Sequence, residues 1–381
     1  MSRRAAPKAH GPAARSAKGS PVSRAGPLPS GEGPLGGQRS TRSVLEERRS
    51  HKRGGTSDWP YHLREHKGTL LALAAFIVMF TIYATNHPVG LNANVANTAA
   101  NKGVLLAIVA MAQTLVVLTS GIDLSVGMVM VLANCLASSI VVGTPLMTAL
   151  GVLGVLLAGA LCGAINGLIV IYGRLQPIVT TIATGSVFYG AALALRRVPG
   201  GDVNSGLADA VTGQLTGGVP ASLVLLLALV LVIWLPFRRS VTGRAVYAIG
   251  SSEVAAYMSG VPIRRAKFVA YTLSGLLASI AGLFLTCITY SGEASAANGS
   301  TYTLYSIAAV VLGGVSLFGG SGSAVGAIFG ALMFRTIGDL LFVFNLDPLW
   351  QPLFQGVVLS AAVCLGSVRL LRVRNRLDLY G

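Results

Sequence analysis

The sequence predicts an all-α, polytopic integral membrane protein of about ten transmembrane helices behind a disordered basic tail. Three observations predict it. Only 11% of the 381 residues are charged and 53% are hydrophobic, against about a quarter charged in a soluble domain. The apolar runs approach the roughly twenty residues of a bilayer-crossing helix rather than the ten or so of a barrel strand. The net charge of +16 is unevenly placed, with 14 of the 29 Lys and Arg in residues 1–67. Most others form two clusters: Arg238, Arg239, Arg244, Arg264, Arg265 and Lys267, then Arg369, Arg372, Arg374 and Arg376. Such clustering marks the cytoplasmic segments of membrane proteins and argues against nucleic acid as a partner.

Residues 1–67 are rich in Arg, Ala, Pro, Gly and Ser. They cannot bury a core, and a disordered cytoplasmic tail is expected. A signal peptide would carry its apolar region near the start. Here the first apolar run begins near Thr69, so it reads as a retained span, with Trp59 and Tyr61 before it at headgroup level. Spans are expected at 69–85, 103–120, 124–142, 146–172, 177–195, 221–236, 268–290, 303–319, 324–345 and 351–368. An even count puts the tail, the 237–267 loop and a cytoplasmic 369–381 tail on one face. The opposite face receives 86–102, 196–220, 291–302 and 346–350, which hold few basic residues. Segment 92–101 also reads as part of a broken helix within the membrane.

Gly159, Gly163 and Gly167, and later Gly322, Gly326 and Gly330, repeat every four residues. This spacing lines one helix face and lets a neighbouring backbone approach, so helix packing is expected rather than a ligand site. Cys135, Cys162, Cys287 and Cys364 all lie in apolar runs without CxxC spacing. They read as packing residues, and no metal site is expected.

Several chemistries are missing. No lysine follows a glycine, so there is no GxxxxGK[ST] phosphate loop. All five histidines lie outside the expected spans and few acids lie inside them, whereas proton-coupled carriers usually need such a chain of groups. Neither GxSxG nor HExxH occurs, which counts against a membrane hydrolase.

The loop FRRSVTGRAVYAIGSSEVAAYMSGVPIRRAKF, residues 237–268, carries a short helix at its centre. Ser251 or Ser252 can cap it, Glu253 occupies its first turn, Gly260 can end it, and Pro262 stops any continuation. Ala255 and Ala256 are small enough for a partner surface to come close. An amphipathic connector and a docking element both fit these residues.

This loop, with its Glu-x-Ala-Ala followed four residues later by Gly, resembles the coupling segment of ABC importer permeases. Within that superfamily the chain is similar to the ribose/xylose/galactose-type monosaccharide permeases. The matching stretches are SGIDLSVG (120–127), AINGLIVIYGRLQPIVTTIATGSVFYGAAL (164–193), TGRAVYAIGSSEVAAYMSGV (242–261) and VVLGGVSLFGGSGSAVGAIFGAL (310–332). The resemblance runs from about Leu70 to Val368 and leaves out the basic tail. It implies a permease domain over 68–368 in the bacterial inner membrane, with both termini cytoplasmic and a homodimeric channel. A separate ATPase subunit would use ATP, no cofactor being bound by this chain, and an extracytoplasmic binding protein would deliver a monosaccharide or polyol. Coupling to the ATPase would fall on Glu253, Ala255, Ala256 and Gly260. The sequence departs from the family's common form at Ser120, where a second glycine is usual, and at Arg196-Arg197 with its following PGG. The alternative is a self-contained secondary transporter or channel for a small polar solute. Co-purification with an ATPase, or uptake that follows a proton gradient, separates the two.

TSGIDLSVGMV, residues 119–129, sets a carboxylate beside two glycines between two apolar runs. Gly121 permits a break, and Asp123 can cap a helix starting near Leu124 by accepting N–H groups at 125–126. Non-helical backbone at membrane depth needs surrounding protein or a water-filled cavity. Asp123 therefore reads as a structural cap or as a wall of the translocation path. Ser125, Asn166, Thr180, Thr181 and Thr184 are the polar groups that would share that path, or would equally hydrogen-bond between helices.

Overall fold

A computed structural model describes residues 67–361. The expected 1–67 tail (but for Lys67), the 369–381 tail, Cys364 and the end of the last apolar run lie outside the described residues.

The chain starts with α1 (Lys67–Asn86), α2 (Ala93–Val117), α3 (Val126–Ile140), α4 (Pro145–Tyr172) and α5 (Pro177–Leu195). Then come the short α6 (Ser205–Thr212) and α7 (Ala221–Arg239). After these follow α8 (Val241–Ser251), α9 (Glu253–Met258), α10 (Ile263–Thr289), α11 (Ala296–Leu312) and α12 (Ala324–Val343). Helix α13 is described over residues 351–361. Among the described residues seven helices are long and apolar enough to cross a bilayer: α1, α2, α4, α5, α7, α10 and α12. Helices α3 and α11, with 15 and 17 residues, fall short of that length.

The starts follow local chemistry. Asn92 accepts the Val95 N–H ahead of α2, and Thr144 caps α4 with Pro145 in its first turn. Pro236 inside α7 lacks an N–H and crowds the preceding turn. The helix accommodates it with a π-turn over Val230–Trp234, where the Leu235 N–H reaches back to the Val230 carbonyl.

Helix α2 is the centre of the bundle, with every residue from Gly103 to Val117 buried. Helix α10 packs along α4, α3 and α2, and α12 packs against α1, α2 and α11. The α4–α10 crossing rests on the repeated glycines. A Cβ on Gly159 would lie 2.6 Å from the Gly275 carbonyl oxygen, and one on Gly275 would lie 2.7 Å from the Gly163 nitrogen. Gly326 and Gly330 likewise meet Gly313 and Ala309 of the neighbouring segment. Gly322 differs from expectation, since it lies in the loop before α12 with φ +117°. Cys135, Cys162 and Cys287 are buried free thiols.

Three span expectations change. The run at 303–319 is shifted, because α11 ends at Leu312 and 313–323 is an irregular loop rich in glycine. The expected loop at 86–102 shrinks to 87–92, so 92–101 is the first part of a continuous helix and not a broken one. The loop at 237–267 holds two short helices, α8 and α9, rather than one.

Loop contacts sort the bundle into two ends. At one end Ser120 Oγ donates to the carbonyls of Phe318 (2.7 Å) and Gly250 (3.2 Å), and the Gly320 N–H donates to the Leu118 carbonyl (3.2 Å). The segments 118–125, 240–262 and 313–323 meet there. At the other end Asn97 and Asn101 donate to the Thr212 carbonyl, and Asp202 N–H to the Ser138 carbonyl. Gly200 and Gly292 pair there through both backbone bonds. This partition is the one that alternately crossing helices require.

Candidate translocation site

Helix α2 ends at Val117, and the chain then runs without helix to Val126. Ser120 sits in the left-handed region, φ 64°, which costs a residue with a Cβ about 1–2 kcal/mol. Its hydroxyl bonds to the two neighbouring loops offset that cost. Gln113, buried in the last turns of α2, holds the other side of the break. With its amide turned to satisfy both atoms, it donates to the Asp123 carbonyl (2.9 Å) and accepts the Asp123 N–H (3.2 Å). The Leu124 N–H donates to Thr181 Oγ1 on α5 (2.9 Å). Side chains thus satisfy the backbone groups of the break, as a non-aqueous setting demands.

Asp123 is 2% exposed. Its Oδ1 accepts both the N–H (2.9 Å) and the hydroxyl (2.6 Å) of Ser125. The expected helix start at Leu124 moves to Val126, because the Gln113 bonds keep Asp123 out of helical pairing. Ser125 is the N-cap residue, and Asp123 closes the turn before it. Asn166 Nδ2 on α4 donates to Ser125 Oγ (2.7 Å). Asp123, Ser125, Asn166 and Thr181 therefore come together. Thr180 is buried beside Thr181 with no partner for its hydroxyl. Thr184 donates to the Thr180 carbonyl of its own helix (3.1 Å) and joins no network.

Sequence reasoning missed Gln113, Tyr271 and Ser274. The Tyr271 hydroxyl is buried, unpartnered and within reach of the Asp123 charge. Ser274 stands beside the same carboxylate. A lone amide in the apolar run before the break was the available signal for Gln113. Buried acceptors and hydroxyls remain open at Asn166 Oδ1, Thr180 Oγ1 and Tyr271. The cluster offers neutral hydrogen-bonding groups around one carboxylate.

The second feature is α9, on the end where Ser120 meets Gly250. Ser252 caps it by accepting the Ala255 N–H, and Gly260, φ +72°, follows its last turn. Glu253 pairs with Lys267 at 2.7 Å. Ala256 is only 4% exposed, so it packs inward and does not belong to an outer small-residue face as the sequence suggested. The outer face is larger and more apolar, with Val254 71%, Tyr257 72% and Met258 81% exposed beside Ala255. Among the family departures, Arg196 donates to Ser139 Oγ (2.9 Å) and the Ser138 carbonyl, tying its loop to the end of α3, while Arg197 is exposed.

Long apolar helices packed around a buried polar break are the architecture expected of a membrane permease. The family described as branched-chain amino acid transport system / permease component matches residues 95–363. The chain belongs to this family of ABC importer permeases and is a multi-pass inner-membrane protein. It is 38% identical over 307 residues to a probable ABC transporter permease of Sinorhizobium fredii, covering 78% of this chain and 89% of the relative. It is 34% identical over 304 residues to the ribose import permease RbsC of Escherichia coli K12, covering 78% and 92%. It is 36% identical over 269 residues to the fructose import permease FrcC of Rhizobium meliloti, covering 68% and 74%. No solved structure matches the chain. Such a permease is a transporter subunit, and its family implies an ATPase and a substrate-binding protein as partners.

Proposed function

We propose that this permease forms, as a homodimer, the path for a monosaccharide or related polyol handed over by an extracytoplasmic binding protein. A separate ATPase subunit hydrolyses ATP to drive it. The end bearing α8 and α9 faces the cytoplasm, as do both termini, with residues 1–67 and 369–381 as tails. The family description speaks of branched-chain amino acids, but relatives named for a solute carry ribose, fructose and autoinducer 2. The hydroxyl and amide groups of the Asp123 cluster suit a polyhydroxylated solute. In this reading Asp123 shapes the break, and Asn166, Thr180 and Tyr271 meet the solute as it passes, with Ser125 and Thr181 supporting them.

The observation that carries the reading is the outward apolar face of α9. Three exposed large side chains on a six-residue helix need a covering surface, and the ATPase supplies it. Glu253, Ala255 and Gly260 shape the helix and its edge, while Ala256 anchors it to the bundle. The test is a pull-down of the ATPase from detergent extracts of the Tyr257→Ala/Met258→Asp variant, run beside ribose uptake. Loss of both with normal insertion is expected. Full ATPase binding by this variant rejects α9 as the docking element.

A further inference from the structure

A cavity lined by charged and apolar residues lies at the opposite end of the bundle, between α1, α2, α12 and the start of α13. It measures about 430 Å³ and is lined by Tyr83, His87, Lys102, Arg335, Asp339 and Gln351 among others. Its charges do not balance. Asp339 is the one carboxylate among the lining residues, against the two full cations Lys102 and Arg335. Lys102 Nζ stands 3.8 Å from Asp339 Oδ1, beyond hydrogen-bond distance. Arg335 Nε is buried and has no partner. A surplus cation with an unmade hydrogen bond is costly inside an apolar bundle. Both cationic residues lie roughly 12–14 Å along their helices from the nearer helix end at about 1.5 Å per residue, deeper than either side chain can span, so an anion meets them only by entering the cavity. The Lys102 side chain is half-exposed, so the cavity communicates with the outside. Phe342 and Leu341 add an apolar wall.

We propose that this cavity binds a phosphate-type oxyanion, with Arg335 and Lys102 as donors and Asp339 as the group that holds them apart. A phosphate diester of an anionic lipid and a free phosphate share this chemistry. The site is separate from the Asp123 break, and the proposal stands whether or not the solute is a sugar.

The test uses the full-length permease in nanodiscs. One arm compares phosphatidylcholine alone with phosphatidylcholine containing phosphatidylglycerol. A second adds inorganic phosphate to phosphatidylcholine discs, against chloride at equal ionic strength. Thermal midpoint and lipid retention in native mass spectrometry are read for wild type, Lys102→Gln, Arg335→Gln and Asp339→Asn. Wild type is expected to gain stability in one arm, which identifies the source of the phosphate. Lys102→Gln and Arg335→Gln should weaken retention by about tenfold or more, the scale of one charge-assisted hydrogen bond. Asp339→Asn should strengthen it by removing the competing carboxylate. Should Arg335→Gln fail to fold, Lys102→Gln decides, since its half-exposed side chain can be replaced without opening the core. No response in either arm, or equal retention by wild type and Lys102→Gln, overturns the proposal. So does an Asp339→Asn variant that only loses stability, because that is the behaviour of an internal ion pair.

Discussion

Ser120 holds a left-handed backbone in a position where only its hydroxyl bonds compensate. Ser120→Ala keeps the strain and loses the bonds, and a destabilisation of about 1 kcal/mol is expected. Ser120→Gly loses the bonds but also the strain, and should remain near wild type. Thermal melts of the two variants in detergent check this, and equal loss by both contradicts it. Asp123 gives a similar contrast. Asn can still accept from the Ser125 N–H, so Asp123→Asn should fold normally. Asp123→Ala leaves that buried N–H unpaired at a cost of about 1–3 kcal/mol. The break was legible in the sequence because glycine beside a carboxylate is conspicuous between apolar runs. The groups that hold it were less so. Tyr271 and Ser274 approach Asp123 from the distant helix α10, and single-sequence periodicity carries no information on which polar residues converge.

At the scale of elements, the α4–α10 crossing depends on missing side chains. Gly163→Ala would drive a Cβ into the Tyr271 backbone, and a loss of about 1–3 kcal/mol is expected. Gly190 in α5 has open space where a Cβ would sit, with nothing within 4 Å. There alanine should gain up to about 1 kcal/mol through helix propensity. The opposite signs are read from unfolding midpoints, and like signs would contradict the packing account. A second element-level case is α6. Tyr290, φ 52°, donates its hydroxyl to Asp209 Oδ1 at 2.7 Å. That bond pushes the phenol above its usual range, with minor help from burial. A raised folded value means the bond's contribution is complete below the ordinary tyrosine range, near pH 10, and is lost as pH rises through the raised value. Tyr290→Phe should speed hydrogen exchange in 205–212 at neutral pH and abolish any further loosening at high pH. Most long spans were legible from apolar length alone. The shift of 303–319 was not, because a glycine-rich loop with Val, Leu and Phe in it is as apolar as a helix. Only its positive-φ turns at Gly314, Gly319, Gly320 and Gly322 set it apart.

For the whole molecule, the two sets of loops give a direct labelling test. A cysteine at Ser252 and one at Leu215, both exposed, should react with an impermeant thiol reagent from opposite sides of the membrane. The Ser252 site should react only after the cytoplasmic side is opened. Labelling of both from one side would reject alternate crossing. The side assigned to each loop set is an expectation from charge placement, since basic residues beside the spans direct insertion. The proposed docking helix was readable only in part. The position of α9 followed from caps and Pro262, but which face turned inward depended on the bundle beneath it, so the burial of Ala256 and the exposure of Tyr257 and Met258 were not legible.

The meeting of Ser120, Gly250 and Gly320 bears on energy transfer. Gly250 of α8 touches the backbone of Leu118 and of Gly319-Gly320, with no side chain between. Backbone contacts have no rotamers with which to absorb a displacement, so a tilt of α8 reaches Ser120, three positions before Asp123. Thermodynamic linkage makes such a coupling reciprocal. If the solute passes the break and the ATPase docks on α9 as proposed, whatever factor the ATPase applies to solute affinity the solute must apply to ATPase affinity. Titrating the ATPase onto the permease with and without the transported solute, and the solute with and without the ATPase, should return equal factors. Gly250→Ala, which forces a methyl into that joint, should change both factors together and leave neither altered alone.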